Sequence, residues 1–313
     1  MGNKSKIILI SGPTASGKSS FAIKIAKKIN GEIINADSMQ VYKQLKILTA
    51  RPTTKDQKNI EHHLYGIIDS NKKFSTGEWL KLAIKTIKDI QKRKKVPVVV
   101  GGTGLYFQSL IKGLVKIPKI PLKFRNEVRL LQKKEGQKKF YKKLVILDPI
   151  VREKINQNDV QRSIRAFEIK SFTKVSMYDW LNKTISEFNE SDFLKLYIDF
   201  NREELVKRIS LRTNQMIKNG ALKEVKNFLK LKSKKNKSIN GVIGIDELTQ
   251  YLNKEIDLDQ TQELISIKTR QYAKRQATWA RSRMVSWKKI GPSKIVKYIK
   301  SLNKSSLKLD QLT

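Results

Sequence analysis

The first hundred residues alternate between short apolar runs and longer stretches in which apolar residues recur at helical spacing. The runs predict four strands, at Ile7–Ile10, Glu32–Ala36, His63–Ile68 and Val96–Val100. The intervening stretches predict helices, at Ser19–Ile29 and Thr76–Lys94. Strands that are apolar on both sides and separated by helices are typical of a parallel sheet covered on two faces. The pattern therefore predicts an α/β core whose parallel sheet is flanked by helices.

The pattern changes after Gly113, where strand signals stop until Phe193–Phe200. The segment between them contains a proline-broken stretch and two basic helical stretches, at Lys116–Leu122, Phe124–Lys143 and Asp159–Lys170. We therefore predict a helical insertion at 114–190, between the fourth and fifth strands. The core would be formed by 1–113 and 191–313.

From Arg202 onward the apolar spacing predicts a mainly helical C-terminal region. The lysine-rich tract Lys230–Lys237 interrupts it. Such a run is either a solvated loop or a contact for an RNA backbone, and the sequence leaves both open.

The chain has 313 residues, with 66 Lys and Arg against 28 Asp and Glu, a formal net charge of +38. A positive field of this size attracts polyanions, so composition favours a nucleic acid partner. Lys is far more frequent than Arg, and Ile and Asn are abundant, as an AT-rich genome would produce. We attribute roughly half of the excess charge to that bias, since net charge constrains partners and not fold.

Several classes of site are excluded or disfavoured by the residues that the chain lacks. Because the sequence has no cysteine, disulfides, thiolate metal sites and cysteine nucleophiles are excluded. The two histidines, His62 and His63, are too few for a histidine-rich metal site. The first apolar run is too short for a signal peptide or a membrane span, so we expect a soluble, cytoplasmic protein without membrane association.

One motif in the first third is specific enough to indicate a ligand. The segment GPTASGKS matches the phosphate-binding pattern G-x-x-x-x-G-K-[ST] without a mismatch, between a predicted strand and a predicted helix. In such a P-loop, backbone N–H groups and the helix N-terminus face a phosphate group, the lysine adds a full positive charge, and the last hydroxyl can bind Mg²⁺. We therefore predict a diphosphate- or triphosphate-binding loop, with Ser19 as a magnesium ligand, made by Gly12, Pro13, Thr14, Ala15, Ser16, Gly17, Lys18 and Ser19.

A carboxylate follows the second predicted strand, and a glycine-rich turn follows the fourth. Asp37 should face the ligand crevice, because the carboxyl ends of parallel strands border it. Its role is either a turn or cap, or acid–base or metal chemistry. The glycines of VVVGGTGLY would let a substrate approach the backbone closely. This strand lacks the acidic residue with which many P-loop ATPases bind magnesium and nucleotide.

A basic stretch rich in aromatic residues, Ile267–Arg283, has helical spacing. Basic side chains interleaved with the aromatic residues Tyr272 and Trp279 suit phosphate contact and base stacking, but a packed aromatic face with solvated charges gives the same pattern. The basic side chains that share one face are Arg270, Lys274 and Arg281. Three other arginines are either solvated or directed at an anion: Arg51, Arg208 and Arg212.

Taken together, these segments resemble the tRNA dimethylallyltransferase (tRNA isopentenyltransferase) family. The matches occur in the family's order, from GPTASGKS through DSMQVYK, TARPT, GGTGLYF, NDVQRSIRAFEI and RTNQM to KRQATWAR. The combination is far more specific than the P-loop alone. Eukaryotic relatives add a zinc finger of cysteine and histidine, so this cysteine-free chain resembles the bacterial type.

The resemblance implies a P-loop core with a helical insertion, Mg²⁺ as cofactor, dimethylallyl diphosphate as donor and the anticodon arm of tRNA as partner. The acceptor would be N6 of the adenosine on the 3′ side of the anticodon. The diphosphate would be held by Thr14–Ser19 and Arg212, and Asp37 would be the general base. A monomer is expected.

The resemblance also implies a set of residues that bind tRNA. After the segment GVIG the family usually has an aromatic and then a basic residue, whereas this chain has Ile245 and Asp246, so the contact expected there is open. Together with the basic helix, the implied contacts are Asp37, Ser38, Met39, Gln40, Thr103, Arg125, Gln161, Arg162, Ser163, Ile164, Arg165, Arg270, Lys274 and Arg281.

Two other functions would use the same features. A P-loop kinase of small molecules or nucleosides would need ATP and an arginine-rich lid. An RNA-binding module with an inactive P-loop would bind tRNA without transferring any group. Binding of dimethylallyl diphosphate, ATP and tRNA distinguishes the three.

Overall fold

The computed structural model describes residues 6–57, 60–115, 117–182, 184–231 and 237–302, without the side chains of 237 and 238. Its contacts divide the chain into two compact units. The first consists of Met1–Ile111 and Phe188–Thr313, and the second of Lys112–Glu187. The predicted insertion at 114–190 overlaps the second unit.

A parallel sheet forms the centre of the first unit. Its strands are β1 (Ile7–Ser11), β2 (Gly31–Asn35), β3 (His62–His63), β4 (Val96–Gly101), β5 (Phe193–Ile198) and β6 (Lys288–Ile290). They pair in the order β3-β2-β4-β1-β5-β6, and every pair is parallel. The residues of β1 and β4 are buried throughout, since the sheet is covered on both faces. This confirms the predicted α/β fold with a P-loop parallel sheet.

Helices follow the strands and build the rest of the chain. They are α1 (Lys18–Ile29), α2 (Thr54–Gln57), α3 (Thr76–Lys92), α4 (Gly104–Lys112), α5 (Leu122–Leu147), α6 (Val151–Lys154), α7 (Val160–Thr173), α8 (Met177–Asn182), α9 (Arg202–Lys218), α10 (Ala221–Lys230), α11 (Lys237–Asn240), α12 (Ile245–Leu252), α13 (Leu258–Arg283) and α14 (Ile295–Ser301). Within the second unit, α5 packs against α7. In the C-terminal region, α13 packs against α9 and α12, which confirms that this region is mainly helical.

The core beneath the P-loop is built by α1 against the sheet. Phe21 and Ile25 of α1 pack with Ile8, Ile33 and Val98 from three neighbouring strands, and all five are at most 1% exposed. Burying a side chain of this size contributes about 1.5–3 kcal/mol before the entropy of ordering it is subtracted. This packing fixes α1, and therefore the loop that precedes it, against the end of β1.

The third strand is much shorter than predicted. The pattern favours a strand over His63–Ile68, but β3 contains His62 and His63 alone. Leu64 and Gly66 adopt left-handed φ angles of 64° and 60°, which turn the backbone out of an extended conformation. Ile68 then forms an isolated parallel bridge with Tyr42.

Two further predictions are corrected by the structure. The predicted helix Phe124–Lys143 is interrupted at Gly136, whose φ of 76° and ψ of 161° are not helical. The short strand β6 was not predicted, because two of its three residues are exposed lysines that carry no apolar pattern.

The lysine-rich tract Lys230–Lys237 lies mainly at 232–236, outside the described residues. Within the described ranges, no helix combines the length and the apolar character needed to cross a bilayer.

Candidate active site

The loop Gly12–Ser19 joins β1 to α1. Gly17 precedes the helix with a φ of 79°, a conformation that favours glycine over residues with a Cβ atom. No side chain caps this helix end, so the first N–H groups of α1 remain available to a ligand in the loop. These amides and the helix dipole together favour an anion at this position.

Three cationic side chains contact the loop. The Lys18 ammonium donates to the carbonyl of Pro13 at 3.1 Å. From α9, Arg208 Nε donates to the carbonyl of Ala15 at 2.8 Å, and Arg212 Nη1 donates to Thr14 Oγ1 at 2.9 Å. Arg208 and Arg212 are therefore directed at the phosphate loop.

The charge of Lys18 is destabilised before any ligand binds. Desolvation lowers the pKa of its ammonium to about 8, although part of the side chain remains accessible to solvent. Asp37 opposes this shift and Arg212 adds to it. Burial likewise lowers the pKa of Arg212 from its usual value. An anion that binds between these desolvated cations stabilises their charged forms and is itself stabilised by them.

Two neighbouring cavities meet at Asp37. The larger, about 670 Å³, is lined by the P-loop and by Arg51, whose Nη1 donates to the carbonyl of Tyr42 at 2.9 Å. The smaller, about 240 Å³, is lined largely by apolar side chains, including Leu48, Ile209, Met216, Val242 and Ile265. Both cavities share Thr14, Asp37, Thr49, Arg212 and Met216. The carboxylate therefore lies between the P-loop cavity and a cavity with a mainly apolar surface, which Arg212 and Arg275 also line.

Asp37 uses one carboxylate oxygen to hold its own turn. Its Oδ1 accepts from the Met39 amide at 2.9 Å, and its amide donates to Asn35 Oδ1. Among the described residues, no hydrogen bond reaches Oδ2. The two roles that the sequence left open are therefore compatible, because the turn occupies one oxygen and leaves the other available.

Three tyrosines surround this carboxylate. Burial, and secondly the charge of Asp37, raises the pKa of Tyr65, Tyr106 and Tyr272 well above its usual value. They stay neutral at physiological pH and retain their O–H donors.

The strand ends that carry Asp37 and the glycine turn meet closely. A Cβ atom on Gly101 would lie 2.0 Å from the carbonyl oxygen of Ala36, so this position requires glycine. Beside it, the Ser38 amide donates to Thr103 Oγ1 at 2.9 Å. Gln40 Nε2 donates to the carbonyl of Thr49 at 2.7 Å. The structure thus brings together the predicted tRNA-binding residues of this unit that follow β2 and β4.

Gln276 of α13 lies within the segment KRQATWAR, but the sequence alone does not indicate that it belongs to the site. Its Oε1 accepts from the Thr14 amide at 2.8 Å, and its Nε2 donates to the carbonyl of Gly102 at 2.9 Å. One side-chain amide therefore links the P-loop to the glycine turn.

The sequence compares closely with one family of known proteins. The model of the IPP transferase family matches residues 40–283. The chain belongs to this family. It is 73% identical to the tRNA dimethylallyltransferase of Pelagibacter ubique strain HTCC1062, and the alignment covers the whole of both chains. It is 40% identical to the tRNA dimethylallyltransferase of Rickettsia massiliae, covering 89% of this chain and 77% of that protein.

Solved structures support the same grouping. A eukaryotic dimethylallyltransferase acting on tRNA superposes with a TM-score of 0.82 at 28% identity, covering 96% of this chain and 77% of that one. The tRNA isopentenylpyrophosphate transferase of Staphylococcus epidermidis superposes with a TM-score of 0.66 at 33% identity, covering 95% and 97%.

In this IPP transferase, the basic face of α13 lines a third cavity, of about 820 Å³. Its predicted tRNA-binding residues Arg270, Lys274 and Arg281 all border that cavity. Trp279 instead packs against Gly104, where an added Cβ atom would lie 2.4 Å from the indole ring. Trp279 therefore has a packing contact, and because it is only half-buried, base stacking stays a prediction for it.

The second unit holds the remaining predicted tRNA-binding residues of this IPP transferase. Gln161 and Arg162 are exposed at the start of α7, and Ile164 and Arg165 are half-buried. The Ser163 side chain is fully buried and accepts from Gln137 Nε2 at 3.1 Å, so it does not lie on the surface with its neighbours. The side chain of Ser163 does not reach the surface in this conformation, and an RNA contact through its backbone stays a prediction.

The departure from the family pattern lies at the start of α12. Ile245 is 4% exposed and packs in the core, whereas Asp246 is exposed. Glu247 next to it is buried, accepts from the Gly244 amide at 2.8 Å and pairs with Lys268. An RNA contact from the Ile245 side chain is therefore excluded in this conformation.

Proposed function

We propose that this protein transfers the dimethylallyl group of dimethylallyl diphosphate to N6 of the adenosine on the 3′ side of the anticodon in tRNA. Membership of the IPP transferase family and the close relatives named tRNA dimethylallyltransferase support this activity. The observation that carries it is the position of Asp37, which borders both a cationic P-loop cavity and an apolar one. A diphosphate with an allylic tail has the same two chemical parts.

In the proposed reaction, a C–N bond forms between the allylic carbon and adenine N6, and the C–O bond to diphosphate breaks. The exocyclic amine is a weak nucleophile because its lone pair is delocalised into the ring. Asp37 Oδ2 would accept the N6 proton as the new bond forms, a contribution typically worth about 10²–10⁴ in rate. The leaving diphosphate takes the electron pair, and its charge is stabilised by Lys18, Arg212 and the loop amides.

The surroundings of Asp37 suit this chemistry. The adenine must leave the anticodon-loop stack to reach it, at a cost of about a few kcal/mol. The apolar cavity would hold the dimethylallyl tail and exclude water, which would otherwise intercept the allylic carbon. The neutral phenol of Tyr272 lines this cavity.

A magnesium ion fits the donors that the site offers. The side chains of Ser19 and Asp37 line the same cavity, and Mg²⁺ prefers oxygen ligands while retaining several waters. The buried Ser16 hydroxyl has no hydrogen-bond partner among the described residues, as expected for a loop shaped around an anion. We propose Ser19 as the magnesium ligand, and the ion would neutralise charge on the departing diphosphate.

The test is to incubate purified protein with Mg²⁺, dimethylallyl diphosphate and unmodified tRNA, without any nucleoside triphosphate. Mass spectrometry of the digested tRNA should detect adenosine carrying one dimethylallyl group. A strict requirement for ATP would support the kinase alternative. Binding of tRNA without transfer or donor affinity would support an RNA-binding module.

A further inference from the structure

Three arginines converge on one buried carboxylate in the second unit. Glu168 of α7 is 1% exposed. Its Oε2 accepts from Arg125 Nε at 3.0 Å and from Arg165 Nη1 at 3.1 Å, and Arg129 Nε lies 3.8 Å from Oε1. Arg125 and Arg129 are one turn apart on α5, and Arg165 is one turn before Glu168 on α7.

The cluster carries more positive charge than the carboxylate needs. One cation balances the formal charge of a carboxylate, and Oε1 of Glu168 accepts no hydrogen bond among the described residues. Here three guanidinium groups surround one anion, which leaves an excess of two positive charges. Placing like charges together in the absence of a ligand costs free energy, and an additional anion would offset that cost.

The arginines also keep donors available. Their side chains are 33%, 43% and 39% exposed for Arg125, Arg129 and Arg165, so each guanidinium has an edge in solvent. A guanidinium has five N–H donors in a rigid fork, and Glu168 occupies one on Arg125 and one on Arg165. Such a fork matches the geometry of a phosphate group.

We propose that Arg129 joins Arg125 and Arg165 in binding phosphate groups of the tRNA backbone, and that Glu168 is the positioning residue that holds the three side chains in place. The inference rests on the proposed function, because it assumes that tRNA is the substrate. A buried anchor reduces the rotamer freedom that long exposed side chains would lose on binding RNA.

Glu168→Gln gives opposite expectations for the two explanations of the cluster. If long-range electrostatics alone governs binding, removing a negative charge strengthens the attraction for tRNA. If Glu168 positions the arginines, the same change weakens tRNA binding by roughly tenfold, because ordering them then costs free energy at each encounter. Glu153→Gln, an exposed acidic residue of α6 in the same unit, is the matched control for charge.

Arg129→Ala tests the third arginine, and because its Nε lies 3.8 Å from the buried Oε1 of Glu168, the melting temperature is measured with it to detect any loss of stability. Each lost phosphate contact should lower the slope of log Kd against log salt by about one, and affinity should fall uniformly for different tRNAs. Arg152→Ala, which removes an exposed arginine of α6, is the control and should leave that slope closer to the wild type.

The experiment measures tRNA affinity of the full-length protein by filter binding between 50 and 300 mM salt (about the range in which such slopes are resolved). It adds donor affinity, melting temperature, and KM and kcat for tRNA. The expected result is a higher KM for tRNA in both variants, with kcat and donor affinity retained. If Glu168→Gln does not fold, Arg129→Ala and Arg129→Gln carry the test.

The inference is overturned if Glu168→Gln binds tRNA as tightly as Glu153→Gln, or if Arg129→Ala and Arg152→Ala have equal salt slopes. If either result is obtained while the wild-type protein still modifies tRNA, the proposed function stands and only this inference fails. A wild type that neither binds nor modifies tRNA overturns both.

Discussion

The side-chain amide of Gln276 accepts a hydrogen bond from the backbone N–H of Thr14 at 2.8 Å, across 262 positions of sequence. Its other end donates to the carbonyl of Gly102. The Thr103 hydroxyl, one residue further, accepts from the Ser38 amide. A continuous path of contacts therefore runs from the P-loop to the turn of Asp37, and Gln276 is its central link.

We expect Gln276→Ala to displace the donor relative to Asp37, the proposed general base. A displacement of about 1 Å at a reacting centre can lower the rate by roughly 10²-fold. The Thr14 N–H and the Gly102 carbonyl would lose their hydrogen-bond partner, at a cost in stability of about 1–3 kcal/mol each where they stay buried. kcat should therefore fall more than donor affinity. Single-turnover rates and thermal unfolding measure the two effects. Gln262→Ala on the same helix is the control, and equal behaviour of the two variants would contradict a linking role.

Donor affinity should depend on pH through Lys18. The folded-state pKa of about 8 means that the ammonium is charged below pH 8 and neutral above it in the ligand-free protein. Asp37 and Arg212 are the charged groups that act on it. Donor binding should therefore weaken as pH rises from 7 to 9, because the neutral amine offers the diphosphate no charge.

Isothermal titration with dimethylallyl diphosphate at pH 7, 8 and 9 measures this dependence. Lys18→Arg retains a charge over the whole range, so its affinity, although lower, should be flat with pH. A decline of equal size in Lys18→Arg would assign the pH dependence to another group.

The buried carboxylate of Glu32 should make the free energy of unfolding depend on pH in acid. Desolvation alone would raise the pKa of Glu32, but hydrogen bonds from Lys95, His63 and Arg93 lower it to about 2. Since this value lies below the unfolded one of 4.5, the stabilisation is complete above pH 4.5 and is lost as pH falls towards 2. Glu32 lies near the amino end of β2, away from the strand ends that form the site.

Glu32→Gln should lower the free energy of unfolding at pH 7 by on the order of 2 kcal/mol, since it removes the anion that pairs with Arg93 and Lys95 and is hydrogen-bonded to His63. The difference from wild type should shrink between pH 4.5 and 2, while kcat at pH 7 is retained. Urea denaturation at several pH values measures it, with the exposed Glu61→Gln as control. A difference that is constant with pH would rule out this linkage.

The parts of the site that the sequence predicts are those built from adjacent residues. The loop Gly12–Ser19 follows from its motif, because the strand, loop and helix that hold it are contiguous. Gln276 could not be found in this way, since its partners Thr14 and Gly102 become neighbours only in the folded chain. The shortness of β3 also depends on two left-handed residues, one of which, Leu64, gives no sequence signal for a turn.

The burial of Ser163 had a signal in the sequence. Ser163, Ala166 and Ile169 recur at helical spacing, and all three are buried on the inner face of α7. Two of these three residues are apolar, so the spacing indicates that Ser163 faces inward while Arg165 reaches the surface. Helical periodicity therefore separates residues that a contiguous motif groups together.

The role of Asp37 gives the sharpest prediction. Asp37→Asn keeps an oxygen for the Met39 amide, so the turn should survive and the melting temperature should change little. The amide cannot accept a proton, so single-turnover prenylation should fall by roughly 10²–10⁴ if Asp37 is the general base. Donor affinity should change little, because the proposed diphosphate site is formed by Lys18 and Arg212, which line the cavity beside Asp37.

Lys18→Ala is the matched comparison, since it should lose donor binding as well as rate when the diphosphate is left without its main counter-charge. The contrast between the two variants separates proton transfer from donor binding, which a single inactive mutant would not do. Raising the pH should not rescue Asp37→Asn, because the amide has no proton-accepting form in the range where the enzyme is folded. A folded Asp37→Asn protein that keeps more than about a tenth of the wild-type rate would restrict Asp37 to its turn and require another base for N6.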